Sequence, residues 1–254
     1  MTAPAPTPTP TATPTRQSVY VYGVVRASHA VPPGRTGVGE RPAPVRTVRA
    51  GALAAVISDA PARLRAKRRD LLAHQDLALT LGRDGPVLPM RFGMVAPDEE
   101  SVRRQLLCTQ NDCLAALERV EGRVEMNLKA LPTEADLGAL VREDPEVGRL
   151  RTAARRAPGY EASVRLGEAV ARGLRRRAAA AAATVLAELS AVADATVHGP
   201  EVEGCVLNAS FLLDRREQRR FEGAVERLAA AHRDRAELRL TGPLPCYSFT
   251  EGRA

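Results

Sequence analysis

Val124-Glu125-Met126-Asn127-Leu128-Lys129-Ala130 is the clearest alternation in the chain. Successive side chains of a strand point to opposite faces, so Val124, Met126, Leu128 and Ala130 share one side and Glu125, Asn127 and Lys129 the other. A strand of this kind rests one face on a core and turns the other to water, as in an antiparallel or mixed sheet covered by helices on one side.

Upstream, Val19-Tyr20-Val21-Tyr22-Gly23-Val24-Val25 is apolar on both faces, as a central strand requires, and Leu53-Ala54-Ala55-Val56-Ile57 reads as a second buried strand. From Ala62 to Arg83 the spacing becomes helical, with Leu64, Leu71, Ala78 and Leu81 on one stripe. Gly85 closes that helix. Val87 to Val95 reads as a third strand, placed at an edge because Pro86 and Pro89 lack ladder donors. Asp98 is positioned to cap the next helix, with Glu99 and Glu100 in its first turn and a stripe through Val102, Leu106, Cys113, Leu117 and Val120. The order strand, strand, helix, strand, helix, strand predicts a modified ferredoxin-like sheet with helices on one face, spanning residues 18–132.

Downstream, residues 133–159 read as a hinge holding one short helix, since Glu134 to Pro158 is charged and interrupted by Pro and Gly. A long helix runs from Tyr160 to near Asp194, and Gly199-Pro200 breaks the pattern. Cys205 to Leu213 alternates as a strand, Asp214 to Arg233 as a helix burying Phe221, Val225 and Leu228, and Ala236 to Leu240 as a last strand. Residues 160–254 are therefore expected to form a smaller α+β domain with a long helix, closed by a strap in which Tyr247 and Phe249 pack back. The chain as a whole reads as α+β with two domains. Residues 1–17 precede it: Met1 to Thr15 alternate Thr, Pro and Ala without a charge, the composition of a disordered tail rather than of a secretory signal.

The 254 residues are 44% hydrophobic but only 3% aromatic with no Trp, so the core must be built from Ala, Leu and Val. The net charge of +7 suits an acidic partner, a phosphate or an anionic lipid surface. Its cations concentrate in Arg63-Leu64-Arg65-Ala66-Lys67-Arg68-Arg69 and in Arg172 to Arg177, both on helical stretches. These are solvated faces or phosphate contacts; no aromatic stacking platform stands beside them, which leaves nucleic-acid or acidic-surface binding as the second reading. Cys108, Cys113, Cys205 and Cys246 include no CxxC pair, and the four histidines form no HxxxH or HExxH, so no metal site is expected. No phosphate-binding glycine motif occurs either, and neither a cofactor nor a small-molecule substrate is expected. His74 lies near a buried stripe with no Ser, Cys or Asp placed to use it as a base, which marks it as a packed structural histidine. Catalytic residues are accordingly none. Ala178 to Leu189 is too short to span a bilayer and follows Arg175, Arg176 and Arg177, so the protein is expected to be cytoplasmic.

Four segments in order resemble the gas vesicle GvpF/GvpL family. They are the opening strand Val19–Val25; His74-Gln75 with Pro86-Val87-Leu88-Pro89-Met90-Arg91-Phe92-Gly93; Leu117-Glu118-Arg119-Val120-Glu121-Gly122-Arg123-Val124-Glu125 with Lys129; and Leu207-Asn208-Ala209-Ser210-Phe211-Leu212-Leu213-Asp214 with Thr241-Gly242-Pro243-Leu244-Pro245-Cys246-Tyr247-Ser248-Phe249. Leu244 stands where the family has Trp, Cys246 where it has Pro, and Glu161 where it has Leu. The resemblance implies a non-enzymatic accessory protein of gas vesicle assembly, located in the cytoplasm and at the vesicle. Its implied partners are the small hydrophobic shell protein and other accessory Gvp proteins. A chaperone for a shell protein that polymerises through apolar surfaces can hold it by strand addition at a sheet edge. Arg91 and Phe92, with the row Glu125, Asn127 and Lys129, are the candidate partner-binding residues. The alternative for Arg91 and Glu125 is an internal ion pair joining two strands.

Overall fold

The computed structural model describes residues 17–250. The tail expected at residues 1–17 lies, but for Gln17, outside them. By contacts the described chain divides into two compact units, residues 17–77 with 90–110 and residues 78–89 with 111–250. The architecture is α+β, with two antiparallel sheets and, among the described residues, seven α-helices. The chain passes from one unit to the other three times, within helix α1 (Arg68–Asp84), at Pro89–Met90 and at Gln110–Asn111.

In the first unit, β1 (Val19–Arg26) pairs antiparallel with β3 (Leu53–Asp59), and β2 (Arg46–Ala50) pairs with the far side of β3. All but the last residue of β1 and of β3 is buried, as their two-faced apolar runs require. The two-residue strand β4 (Leu88–Pro89) closes the 78–89 segment of the second unit; the turn and β5 (Val95–Ala96) that follow belong to the first, where β5 pairs with the start of β1. The expected strand from Val87 to Val95 is thus corrected to two short pieces around a turn. Gly93, at φ +94°, sits in a left-handed conformation that ends any extended run. Helix α2 (Glu99–Cys108) begins at Asp98, whose carboxylate accepts the Ser101 N–H at 2.7 Å.

Two helical expectations shift. The helix expected from Ala62 starts at Arg68, so the cations Arg63, Arg65 and Lys67 lie outside it. The single helix expected after Asp98 breaks at Thr109 into α2 and α3 (Gln110–Val120), where the Thr109 hydroxyl donates to the Gln105 carbonyl and the Gln110 side chain accepts the Ala52 N–H.

The second unit is built on β6 (Arg123–Pro132). This strand was expected in the N-terminal sheet; it lies instead inside a second sheet, in which residues 195–198, 207–214, β6 and residues 236–244 follow one another in that order. An alternation assigns faces and leaves the partners open, and here the partners are β8 (Leu207–Asp214) and β9 (Ala236–Leu244). Val124, Met126, Leu128 and Ala130 do share the buried face. Ala209, Phe211 and Leu213 lie beside them, under α6 (Tyr160–Ser190) and α7 (Gln218–His232) through Val185, Leu189, Phe221 and Val225. The edge strand β7 (Ala195–His198) was not anticipated. The stretch read as one short helix and a hinge holds two helices, α4 (Leu137–Glu143) and α5 (Pro145–Arg156), capped by Asp136 and Asp144. They pack Leu140 and Val147 against Ala169 and Leu174 of α6.

Candidate partner-binding surface

The five residues singled out from the sequence fall into two separate settings. Arg91 and Phe92 lie on the turn between β4 and β5 in the first unit. Glu125, Asn127 and Lys129 lie on one face of β6 in the second.

The turn is stitched to β1 through both backbone and side chains. Met90 N–H donates to the Tyr22 carbonyl at 2.9 Å, and Val21 N–H donates to the Met94 carbonyl at 2.9 Å. The Gly93 N–H donates to the Tyr20 hydroxyl at 3.0 Å. His74 completes the clamp, with Nε2 at 2.8 Å from the Met90 carbonyl oxygen. A carbonyl only accepts, so Nε2 carries the proton and Nδ1 is left to accept the Tyr20 O–H at 2.9 Å. A second run of bonds shares this core: Val38 N–H to Tyr22 hydroxyl, Tyr22 O–H to Ser58 Oγ, and Ser58 O–H to the Asp59 carbonyl. Every polar atom in this wire has a direction, the condition for burying it cheaply.

His74 is therefore structural. The burial of a polar ring on the inner face of α1 also explains why Leu71, expected on the buried stripe, is 42% exposed. Asp70 and His74 occupy that face because each is satisfied there, Asp70 by the Gly39 N–H at 3.0 Å.

Burial pushes the His74 imidazole below its ordinary value of 6.5, against the pull of the Met90 carbonyl. The folded chain thus keeps His74 neutral to lower pH than the unfolded chain does. Stability is full above about 6.5 and declines as pH falls through the window below it, where only the unfolded chain takes up the proton. His74→Gln should flatten this part of the curve. Melting temperatures recorded between about pH 7.5 and 5.5 test it, and equal slopes for both proteins would refute the assignment.

What the turn presents to water is Arg91, with Met94 at 47% and Val95 at 45% exposure beside it, and Phe92 half-buried. Phe92 packs edge-on against Tyr20 and His74, so the turn is anchored by one aromatic ring while its neighbours face outward.

On β6 the polar row behaves differently from a free surface. Glu125 is 3% exposed, and its carboxylate accepts the Ser248 N–H at 2.9 Å and the Ser248 O–H at 2.7 Å. Ser248 Oγ also lies 3.2 Å from Ser210 Oγ, which accepts from Asn127 Nδ2 at 3.2 Å; Asn127 reaches Asn208 Oδ1 at 3.0 Å as well. The row is thus a polar ladder across β6 and β8 that ties down the C-terminal strap. Burial, with Glu125 adding to it, pushes both the Tyr247 hydroxyl and the Cys246 thiol up to about 12. Lys129 stays half-exposed opposite Asn208 and Arg239. Neither Glu125 nor the strap could be paired from sequence spacing, since Ser248 lies 123 residues away.

The second arginine run is largely committed inside its own unit. Arg172 pairs with Glu146, Arg176 with Asp144, and the half-buried Arg177 lies between Glu143 and Asp234 while donating to the Asp136 carbonyl. Arg176 holds the Asp144 carboxyl below the usual carboxylate range. These cations fasten α4 and α5 to α6. Among the described residues no helix is long and apolar enough to cross a membrane, and no group of three or more His, Cys, Asp or Glu could hold a metal ion.

Comparison with known proteins adds a consistent set of likenesses. The family described as gas vesicle synthesis protein GvpL/GvpF matches residues 18–251. Gas vesicle protein F of Streptomyces sp. (strain CB03234) is 41% identical over 238 residues, covering 92% of this chain and all of the relative. Gas vesicle protein L of the same strain is 35% identical, covering 91% of each. The crystal structure of GvpF from Anabaena sp. PCC7120 superposes with a TM-score of 0.73 at 22% identity, over 94% of this chain and 100% of that one, a likeness of fold.

Proposed function

Since the chain belongs to the GvpL/GvpF family of gas vesicle synthesis proteins, with a role in gas vesicle formation, we propose that it acts without catalysis, as a holder of the apolar shell protein and of other accessory Gvp proteins in the cytoplasm. The observation that carries this reading is the Met90–Met94 turn, which holds Met94, and its neighbour Val95, in water beside the Arg91 cation. Apolar side chains kept exposed on a rigid support bind a partner with little ordering cost. Arg91 and Phe92 frame that contact, and Lys129 offers a second on the face of β6. Glu125 and Asn127 serve by fixing the strap.

The test is co-expression of the chain with the small gas vesicle shell protein and capture at moderate salt. The wild type is expected to retain soluble shell protein, and Met94→Asp with Val95→Asp to lose most of it, about tenfold or more, without a change in melting temperature. Undiminished capture by that variant would remove the turn from the interface. Nucleic acid recovered in place of shell protein, in an amount that falls with salt, would favour the second reading, which the exposed Arg63 and Arg65 motivate.

A further inference from the structure

The second unit contains a cavity of about 250 Å³ that the partner-holding reading does not use. Its walls are apolar, formed by Val87, Val124 and Leu244, and Arg83, Arg123 and Arg215 also line it. Among the described residues no acidic side chain does. Arg123 is neutralised by Asp194 at 2.8 Å. Arg83 and Arg215 are exposed, and no ion pair engages either among the described residues; the Arg215 guanidinium donates to the Gly82 carbonyl, which aims it without cancelling its charge. A small apolar hollow with two uncompensated guanidinium groups is complementary to an aliphatic side chain that has a carboxylate within a residue of it. The volume suits one such side chain and excludes a drug-sized ligand or a nucleotide.

We propose that this cavity is a binding site for an acidic peptide segment bearing an aliphatic residue, with Arg83 and Arg215 pairing the carboxylates and Val87, Val124 and Leu244 receiving the side chain. Arginine suits the role because its planar fork meets a carboxylate through two parallel N–H donors and stays charged at any physiological pH.

The test uses the full chain alone, so its result does not depend on the gas vesicle reading. Acetyl-Asp-Leu-Asp-amide is titrated into the methyl-labelled protein, with acetyl-Asn-Leu-Asn-amide as the neutral control. Saturable shifts of the Val87, Val124 and Leu244 methyls are expected, with a Kd of about 1 mM or tighter. The neutral peptide should bind about tenfold more weakly. Arg83→Gln with Arg215→Gln should reduce the acidic peptide's affinity to that of the control, and Leu244→Trp, which fills the hollow, should abolish the shifts. The proposal is overturned by an absence of saturable shifts up to about 10 mM. Equal binding of the two peptides, or undiminished binding to the double-arginine variant, overturns it as well.

Discussion

His74→Ala should lower stability by roughly 3–4 kcal/mol and loosen the Met90–Met94 turn, even though the residue touches no partner. Two losses add. The Tyr20 hydroxyl loses its acceptor in a buried setting and the Met90 carbonyl its donor in a part-buried one, at about 1–3 kcal/mol each before water relieves part of it. The imidazole also fills the space among Tyr20, Tyr22 and Phe92, whose ring centroids lie 5.7, 5.7 and 5.8 Å from its own, so its removal leaves a cavity. His74→Phe separates the two contributions: it keeps the volume, and only the polar part, about 2 kcal/mol, should be lost. Urea unfolding gives the free energies, and hydrogen exchange at the Gly93 amide reports the turn itself. If both variants stay within about 1 kcal/mol of wild type with slow Gly93 exchange, the clamp is not what holds the turn.

This clamp marks the limit of what single-sequence reading recovers. Periodicity reports which side of an element is apolar, and it located β1, β3, β6, β8, α6 and α7, because in each the buried face is hydrophobic. It misplaced the inner face of α1, where Asp70 and His74 are buried on the strength of hydrogen bonds to Gly39, Tyr20 and Met90, all remote in sequence. It also left β6 without its true neighbours, since face and partner are separate questions for a strand and the pairing residues of β8 begin 77 positions later. The four-residue β7, half-buried but for the exposed His198, carries too short a pattern to rise above the loop around it. Of the five candidate residues, Arg91 is exposed and Lys129 half-exposed, whereas Glu125, open from sequence to either a partner-binding row or an internal ion pair, is buried and covered by Ser248.

That covered carboxylate carries the second large effect. Glu125→Ala should cost about 3 kcal/mol and release the strap, because two charge-assisted hydrogen bonds to Ser248 disappear together. Hydrogen bonds to a charged group contribute about 1.5–3 kcal/mol each; ending the desolvation of the carboxylate returns part of that sum. Glu125→Gln keeps the shape and one acceptor, so its loss should be about half as large. The strap supplies its own reporter. Cys246 is buried, with its thiol pushed up to about 12, and is therefore inert near pH 8, whereas Cys108 is exposed. In Glu125→Ala the thiol gains water and loses the neighbouring negative charge, and both changes bring it back toward the ordinary value of 9.0. Site-resolved thiol labelling should then show Cys246 reacting on the timescale of Cys108, with Glu125→Gln between the two. Release of the strap would also expose Phe249, now buried, and break the 3.3 Å bond that the exposed Arg119 guanidinium donates to its carbonyl, so the melting transition should broaden as well as fall. A protected Cys246 in Glu125→Ala, with the melting temperature lowered all the same, would mean that apolar packing of Cys246 and Phe249 alone keeps the strap in place.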